Sequence, residues 1–189
     1  MILFVNACVR AEHSRTLRLA NVLLQQLNEP FTELDLSDID FQPADYSYIQ
    51  TRDLLLSEGD YTNPMFDLAR QFAAADTIVI AAPFWDLSFP AMLKQYFEQI
   101  NAIGITFKYT EEGYPVGLCK AKKLYYVTTA GGIFFPEEYG FGYIRALAEN
   151  FYGIKECIMF KTLGLDSDGA NEEQLLQECE KQIHDSVFE

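Results

Sequence analysis

Apolar positions along this chain fall into two alternating rhythms. Residues 2–5 are a short continuous apolar run, and Leu17, Ala20, Leu24 and Leu27 then return at helical spacing. Residues 31–36 alternate as a second strand, and 45–56 read as a helix. Asn63 followed by Pro64 is a cap with a first-turn proline, opening a helix to about Ala75. A third strand, 77–82, leads into a helix starting near Ser88, with Leu93, Tyr96, Phe97 and Ile100 at i, i+3, i+4, i+7. The β-formers of 124–129 predict a fourth strand, and Ile144, Leu147, Ala148 and Phe151 repeat the helical spacing. Residues 157–160 predict a fifth strand, and Leu176, Cys179, Ile183 and Val187 line a last helix. Strands alternating with helices imply an α/β fold with a parallel sheet covered on both faces. No linker, repeat or low-complexity tract breaks the pattern, so residues 1–189 are expected to form one domain. Residues 104–119 are an insertion between the third helix and the fourth strand, with Gly and Pro breakers and several aromatics. Connections of this length are either plain surface hairpins or functional segments packed against something.

The charge balance removes some classes of function. A formal net charge of −14 opposes nucleic-acid binding and docking to an anionic membrane. Cys8, Cys119, Cys157 and Cys179 contain no Cys-x-x-Cys pair, so neither a zinc site nor a dithiol motif is expected. The N-terminal residues show no basic leader, and no apolar run reaches membrane-spanning length. The expectation is a cytoplasmic protein with reduced thiols. Aromatics make up 14% of the chain, which suits an aromatic ligand or a buried subunit interface as well as a core.

Ligands of open α/β sheets bind outside the carboxyl ends of the strands. The third strand breaks there at Pro83, and Phe84 and Trp85 follow at once, presenting flat surfaces suited to a flavin. The loop after the first strand, residues 8–16, precedes a helix whose N-terminus favours an anion. Ser14 there is either an anion ligand or a plain helix cap. Gly131 and Gly132 after the fourth strand either allow close backbone approach to a planar ligand or make a simple turn. Residues 166–171 fail the full calcium-loop spacing and read as a solvated loop. Gly140 and Gly142 are not a dinucleotide fingerprint, and His13 and His184 are too far apart to suggest a metal cluster.

Taken in order, several fragments resemble the FMN-dependent NAD(P)H azoreductases and quinone reductases of the flavodoxin-like fold. They are Ala81-Ala82-Pro83, the aromatic loop from Phe84 to Leu87, Leu93-Lys94-Gln95-Tyr96-Phe97, residues 104–110, and Thr129-Ala130-Gly131-Gly132. The resemblance implies a five-stranded parallel sheet in the order 2-1-3-4-5. It also implies FMN as cofactor, with the phosphate near Cys8, Ser14, Arg15 and Thr16. The ring would lie beside Pro83, Phe84, Trp85, Asp86 and Leu87, and beside Thr129, Ala130, Gly131 and Gly132. Phe107 and Tyr109 of the insertion, together with Phe134, would line the substrate pocket, with Phe107 and Tyr109 reaching the partner's pocket in a homodimer. The implied activity is two-electron, ping-pong reduction of quinones, azo compounds or similar small aromatic acceptors by NADH or NADPH. No catalytic side chain and no metal is expected, because the cofactor carries the chemistry. Asp86 stands where the family usually has Asn, and Ala130 and Phe134 where it often has Arg and His. Cys8 stands where Ser is frequent. At a helix N-terminus its thiol is expected to be acidified and oxidation-sensitive. Two alternatives share the fold: a flavodoxin-type electron carrier and a flavin-free binding module.

Overall fold

The computed structural model describes residues 1–186. Five parallel strands form its centre: β1 (Ile2–Asn6), β2 (Phe31–Asp35), β3 (Thr77–Ala81), β6 (Lys123–Thr129) and β7 (Glu156–Thr162), in the order β2-β1-β3-β6-β7. The insertion supplies β4 (Phe107–Tyr109) and β5 (Pro115–Gly117), an antiparallel pair outside that sheet. Leaving the insertion aside, the order is the expected 2-1-3-4-5.

Strand alternation sends successive side chains to opposite faces. Leu3, Ile78, Leu124 and Cys157 are register partners on one face, followed by Val5, Ile80, Tyr126 and Met159. Phe4, Val79, Tyr125 and Ile158 align on the other. The first face packs against α3 (Asp67–Ala74), α4 (Ala91–Ile100) and α5 (Phe141–Leu147); the second packs against α1 (Arg15–Leu27) and α6 (Glu172–Ser186). This doubly covered sheet explains why the interior strands read as continuous apolar runs.

Several boundaries differ from the sequence reading, each for a local reason. The second strand ends at Asp35, whose side chain caps a 3-10 turn at Leu36–Asp38. The Asn63 cap starts a 3-10 turn at Pro64–Phe66, and α3 follows from it. The helix expected near Ser88 begins at Ala91, because Ser88 exchanges both backbone hydrogen bonds with Trp85, at 2.8 and 2.9 Å. The residue before Pro90 is also biased away from helix. The buried face of α1 centres on Leu19 and Leu23, leaving Leu17 and Leu27 half-buried. α5 passes into a π turn, Ala148–Tyr152, closed by left-handed Gly153. Val187, expected on the last helix, lies outside the described residues.

α2 (Tyr46–Glu58) is seated lightly: Tyr48 is its buried residue, while Tyr46 and Leu54 are exposed. The β4–β5 hairpin is anchored by close backbone contact. A Cβ on Gly117 would stand 2.1 Å from the Tyr152 carbonyl carbon, so only glycine lets β5 lie against the π turn. Phe107 packs edge-on against Phe151 with ring centres 4.6 Å apart. No helix among the described residues is long and apolar enough to cross a membrane.

Candidate cofactor site

Three loops leave the carboxyl ends of the adjacent strands β1, β3 and β6. With the β7–α6 connection, which contributes Asp166, they surround a cavity of about 240 Å3, lined by Val9, Arg10, His13, Ser14, Arg15, Thr16, Pro83, Phe84, Trp85, Thr129, Gly131 and Asp166. This lies where α/β sheets reverse winding and bind their ligands. A larger hollow of about 440 Å3 lies around Ile39, Phe41, Tyr48, Met65 and Gln99. It shares no residue with the three loops, and Tyr48 and Gln99 there are hydrogen-bonded to each other at 2.8 Å.

The first loop turns through a 3-10 segment, Ala11–His13, into α1. Ser14 Oγ accepts from the Leu17 N–H at 3.2 Å and so caps the helix while also lining the cavity. First-turn N–H groups have no acceptor inside a helix, which makes this end an anion cradle. Thr16 Oγ1 and Thr129 Oγ1 are 2.6 Å apart and buried, tying the first loop to the end of β6. Buried Asn6 supports the loop: its Oδ1 accepts from the Cys8 N–H at 2.9 Å and its amide donates to Glu33 at 2.9 Å.

Cys8 is not the exposed thiol that the sequence leads one to expect. Its side chain is only 4% exposed and its Sγ faces the Ala81 carbonyl at 3.6 Å. Burial pushes the thiol up to about 12, the Ser14 hydrogen bond offsetting only part of the shift. Burial therefore raises this thiol instead of the expected acidification, and α1 starts seven residues further on, at Arg15.

The second loop carries Asp86 and Leu87 at φ +49° and +69° inside the Trp85–Ser88 turn. Two successive positive-φ residues make the type I′ geometry that normally selects Asn and Gly. Phe84 leans on Phe135 at 4.4 Å, and the Phe84 N–H donates to the Thr129 carbonyl at 2.9 Å. Trp85 turns a partly exposed indole to the cavity, whereas Asp86 and Leu87 lie outside its lining.

The third loop is zipped to the β7–α6 connection. Gly164, Leu165 and Asp166 N–H groups donate to the carbonyls of Gly132, Ala130 and Gly131 at 3.0, 3.2 and 2.9 Å. Ala130 is buried, and Phe134 is 73% exposed and stands away from the cavity. A Cβ on Gly131 would fall 2.1 Å from an Asp166 carboxylate oxygen, while Gly132 has open space where a side chain would stand. Gly131 thus admits a carboxylate of its own chain, a use of glycine unlike the one expected.

In the insertion the rings of Phe107 and Tyr109 meet edge-on with centres 5.5 Å apart, but the two differ in exposure. Phe107 is buried at 4% exposure and offers no outward surface, whereas Tyr109 is 49% exposed. Arg10, His13, Val9 and Asp166 were missed as lining residues. Basic side chains in the first loop of so acidic a chain were the available signal for Arg10 and His13. Asp166 had none: it meets Arg15 across 151 residues of sequence. Among the described residues no group of three or more His, Cys, Asp or Glu side chains is placed to hold a metal.

The walls fit FMN in kind. A helix N-terminus with Arg10 and Ser14 suits a phosphate, paired threonines suit polar linker atoms, and Phe84 and Trp85 suit a flat ring. The cavity, at about 240 Å3, is smaller than the roughly 300–1,000 Å3 usual for ligand pockets.

Comparison with known proteins agrees with this geometry. Residues 1–187 match the family model described as flavodoxin-like fold. A protein of Clostridium beijerinckii named FMN-dependent NADH:quinone oxidoreductase is 34% identical over 186 residues, covering 94% of this chain and 93% of that protein. One of the same name from Coprothermobacter proteolyticus is 30% identical, covering 94% and 89%. Among solved structures, an azoreductase from Bacillus anthracis str. Sterne superposes with TM-score 0.84 at 25% identity, covering 98% of this chain and 97% of that one. A Bacillus anthracis FMN-dependent NADH-azoreductase in complex with FMN gives TM-score 0.82 at 24% identity, covering 99% and 97%.

Proposed function

The chain belongs to the flavodoxin-like fold family, alongside the FMN-dependent NADH:quinone oxidoreductases, and on that premise we propose that it is an FMN-dependent NAD(P)H oxidoreductase acting on quinones, azo compounds or similar aromatic acceptors. The observation that carries this reading is the joining of an anion cradle at the start of α1 to the aromatic second loop in one cavity. Bound FMN would supply the redox chemistry, accepting hydride from the nicotinamide and returning the electron pair to the acceptor.

The chain's own part is to bind, orient and exclude water. Arg10 and the first turn of α1 would hold the phosphate, with Ser14 and Thr16 in the wall. The backbone of 83–87 would border the ring. The third loop would approach it at Gly132, whose open side leaves room for backbone contact. No side chain is assigned a proton transfer. Donor and acceptor would use one face in turn, giving ping-pong kinetics.

The site works in a homodimer. Exposed Tyr46 and Leu54 on α2, and Tyr109, Tyr114 and Val116 on the hairpin, are surfaces that support a subunit interface. The partly enclosed cavity supports a site completed by a partner. The location is cytoplasmic, in keeping with four free thiols.

Anaerobic mixing of the FMN-reconstituted protein with NADH or NADPH tests the reading. The expected result is rapid bleaching of the flavin bands, reversed by menadione or an azo dye. A protein that binds FMN but stays yellow is an electron carrier, and one that binds no flavin refutes the proposal.

A further inference from the structure

Arg15 is the basic side chain nearest the start of α1, yet its charge is already committed. Its Nη1 donates to Asp166 at 2.7 Å and to Glu172 at 3.0 Å, and its Nη2 faces the second Asp166 oxygen at 3.4 Å. Two carboxylates over one guanidinium leave the cluster net negative, at the mouth of a cavity otherwise suited to an anion. Asp166 is placed there by the fold. Its N–H is held by the Gly131 carbonyl at 2.9 Å, the flanking residues continue the zipper, and the missing Cβ of Gly131 makes the room its carboxylate occupies. Asp166 also lines the cavity itself, beside Arg10, Thr16 and Thr129. Arg15, and then Arg10, hold its carboxyl below the usual carboxylate range, so it is ionised at neutral pH.

We propose that Asp166 is a specificity-determining residue of the cofactor site: its carboxylate competes with the flavin phosphate for Arg15, and so limits how strongly the site prefers FMN over flavins without a phosphate. This rests on the flavin reading above. A phosphate entering the cavity meets Asp166 as a like charge and meets Arg15 with its Nη1 donors taken. Binding therefore relies on backbone N–H groups and Arg10, unless the phosphate displaces Asp166 from Arg15. Riboflavin, which carries no phosphate, encounters neither the repulsion nor the competition. The Asp166 side chain is 65% exposed, so water and salt screen the effect.

The test is titration of the apoprotein with FMN and, separately, riboflavin, read by flavin fluorescence and absorbance, for the wild type, Asp166→Asn and Asp166→Ala. Both variants are expected to bind FMN more tightly by roughly fivefold at low ionic strength, the size of one screened charge, with a smaller gain in high salt. Riboflavin affinity is expected to stay unchanged. Thermal unfolding of each variant separates altered binding from altered folding. FMN affinity unchanged or weakened in both folded variants overturns the proposal and makes Asp166 a holder of Arg15. Equal tightening of both flavins also overturns it, since pocket shape is then responsible. A wild type that binds neither flavin removes the flavin reading itself, and this inference with it.

Discussion

Gly117→Ala is expected to unseat the β4–β5 hairpin. The added Cβ would stand 2.1 Å from the Tyr152 carbonyl carbon, 2.2 Å from the Gly153 nitrogen and 2.3 Å from the Tyr152 oxygen. Carbon–carbon contacts settle at about 3.5–4.0 Å, so β5 must retreat by about 1.5 Å. All three obstacles are backbone, and the π turn they belong to is fixed on its other side by the buried Tyr152, whose hydroxyl donates to Asn101 at 2.8 Å. The strand gives way rather than the turn. Its retreat loosens Phe107 from Phe151 and strains the Leu118 N–H to Thr106 carbonyl bond of 2.9 Å. Overpacking of this kind costs about 1–3 kcal/mol, and partial exposure of a buried phenylalanine adds about 1 kcal/mol. The sum, about 2–4 kcal/mol, lowers Tm by roughly 5–15 °C for a chain of this size. Thermal unfolding at fixed protein concentration measures it, with Gly113→Ala as the comparison. Gly113 has φ +86° and nothing within 4 Å of its would-be Cβ. Only backbone strain of about 1–2 kcal/mol is expected there. A Gly117→Ala Tm within about 2 °C of wild type, or a larger loss in Gly113→Ala, would refute the packing argument.

Other expectations follow from the site. Gly132→Ala meets open space in the free protein and should leave its Tm unchanged, while weakening FMN binding if the ring approaches that backbone; calorimetry and flavin titration together check both halves. Asp86→Asn should raise the flavin midpoint potential by roughly 10–30 mV by removing a negative charge from the loop proposed to border the ring, as measured by dye-linked reduction; an unchanged or lower value sinks the idea. Native Cys8 should react with iodoacetamide no faster than the other thiols. The thiols of Cys8 and Cys119 are pushed up to about 12 and that of Cys157 to about 11 in the folded chain, against 9.0 without burial. Raised folded values mean that the unfolded chain loses these protons first. Stability from this source is complete below pH 9 and falls as pH rises towards 12, which denaturant titration between pH 8 and 11 would show as declining midpoints.

The sequence by itself determined the layout. Strand and helix rhythms depend on neighbours within a few residues, so the runs at Ile78 and Leu124 and the helical spacing of Leu93, Tyr96, Phe97 and Ile100 were legible directly, and all are buried as expected. The parallel sheet followed from their alternation. The three site loops were legible as well, since a break such as Pro83 and a pair such as Gly131-Gly132 mark strand ends. The alternative reading of Ser14 as a helix cap holds in the structure, without removing it from the cavity wall.

Tertiary structure decided what each loop residue faces. Cys8 and Phe107 looked available in the sequence and are buried, because surfaces brought in from distant elements cover them. Thr16 meets Thr129 across 113 residues, and Arg15 meets Asp166 across 151. Gly131 and Gly117 are glycines for the sake of partners at Asp166 and Tyr152 that no local motif announces. The physical reason is one of range. Backbone periodicity and turn chemistry act over a few neighbouring residues and leave a pattern in the sequence. Desolvation, ion pairing and close backbone approach depend on which distant segments the packed sheet brings together.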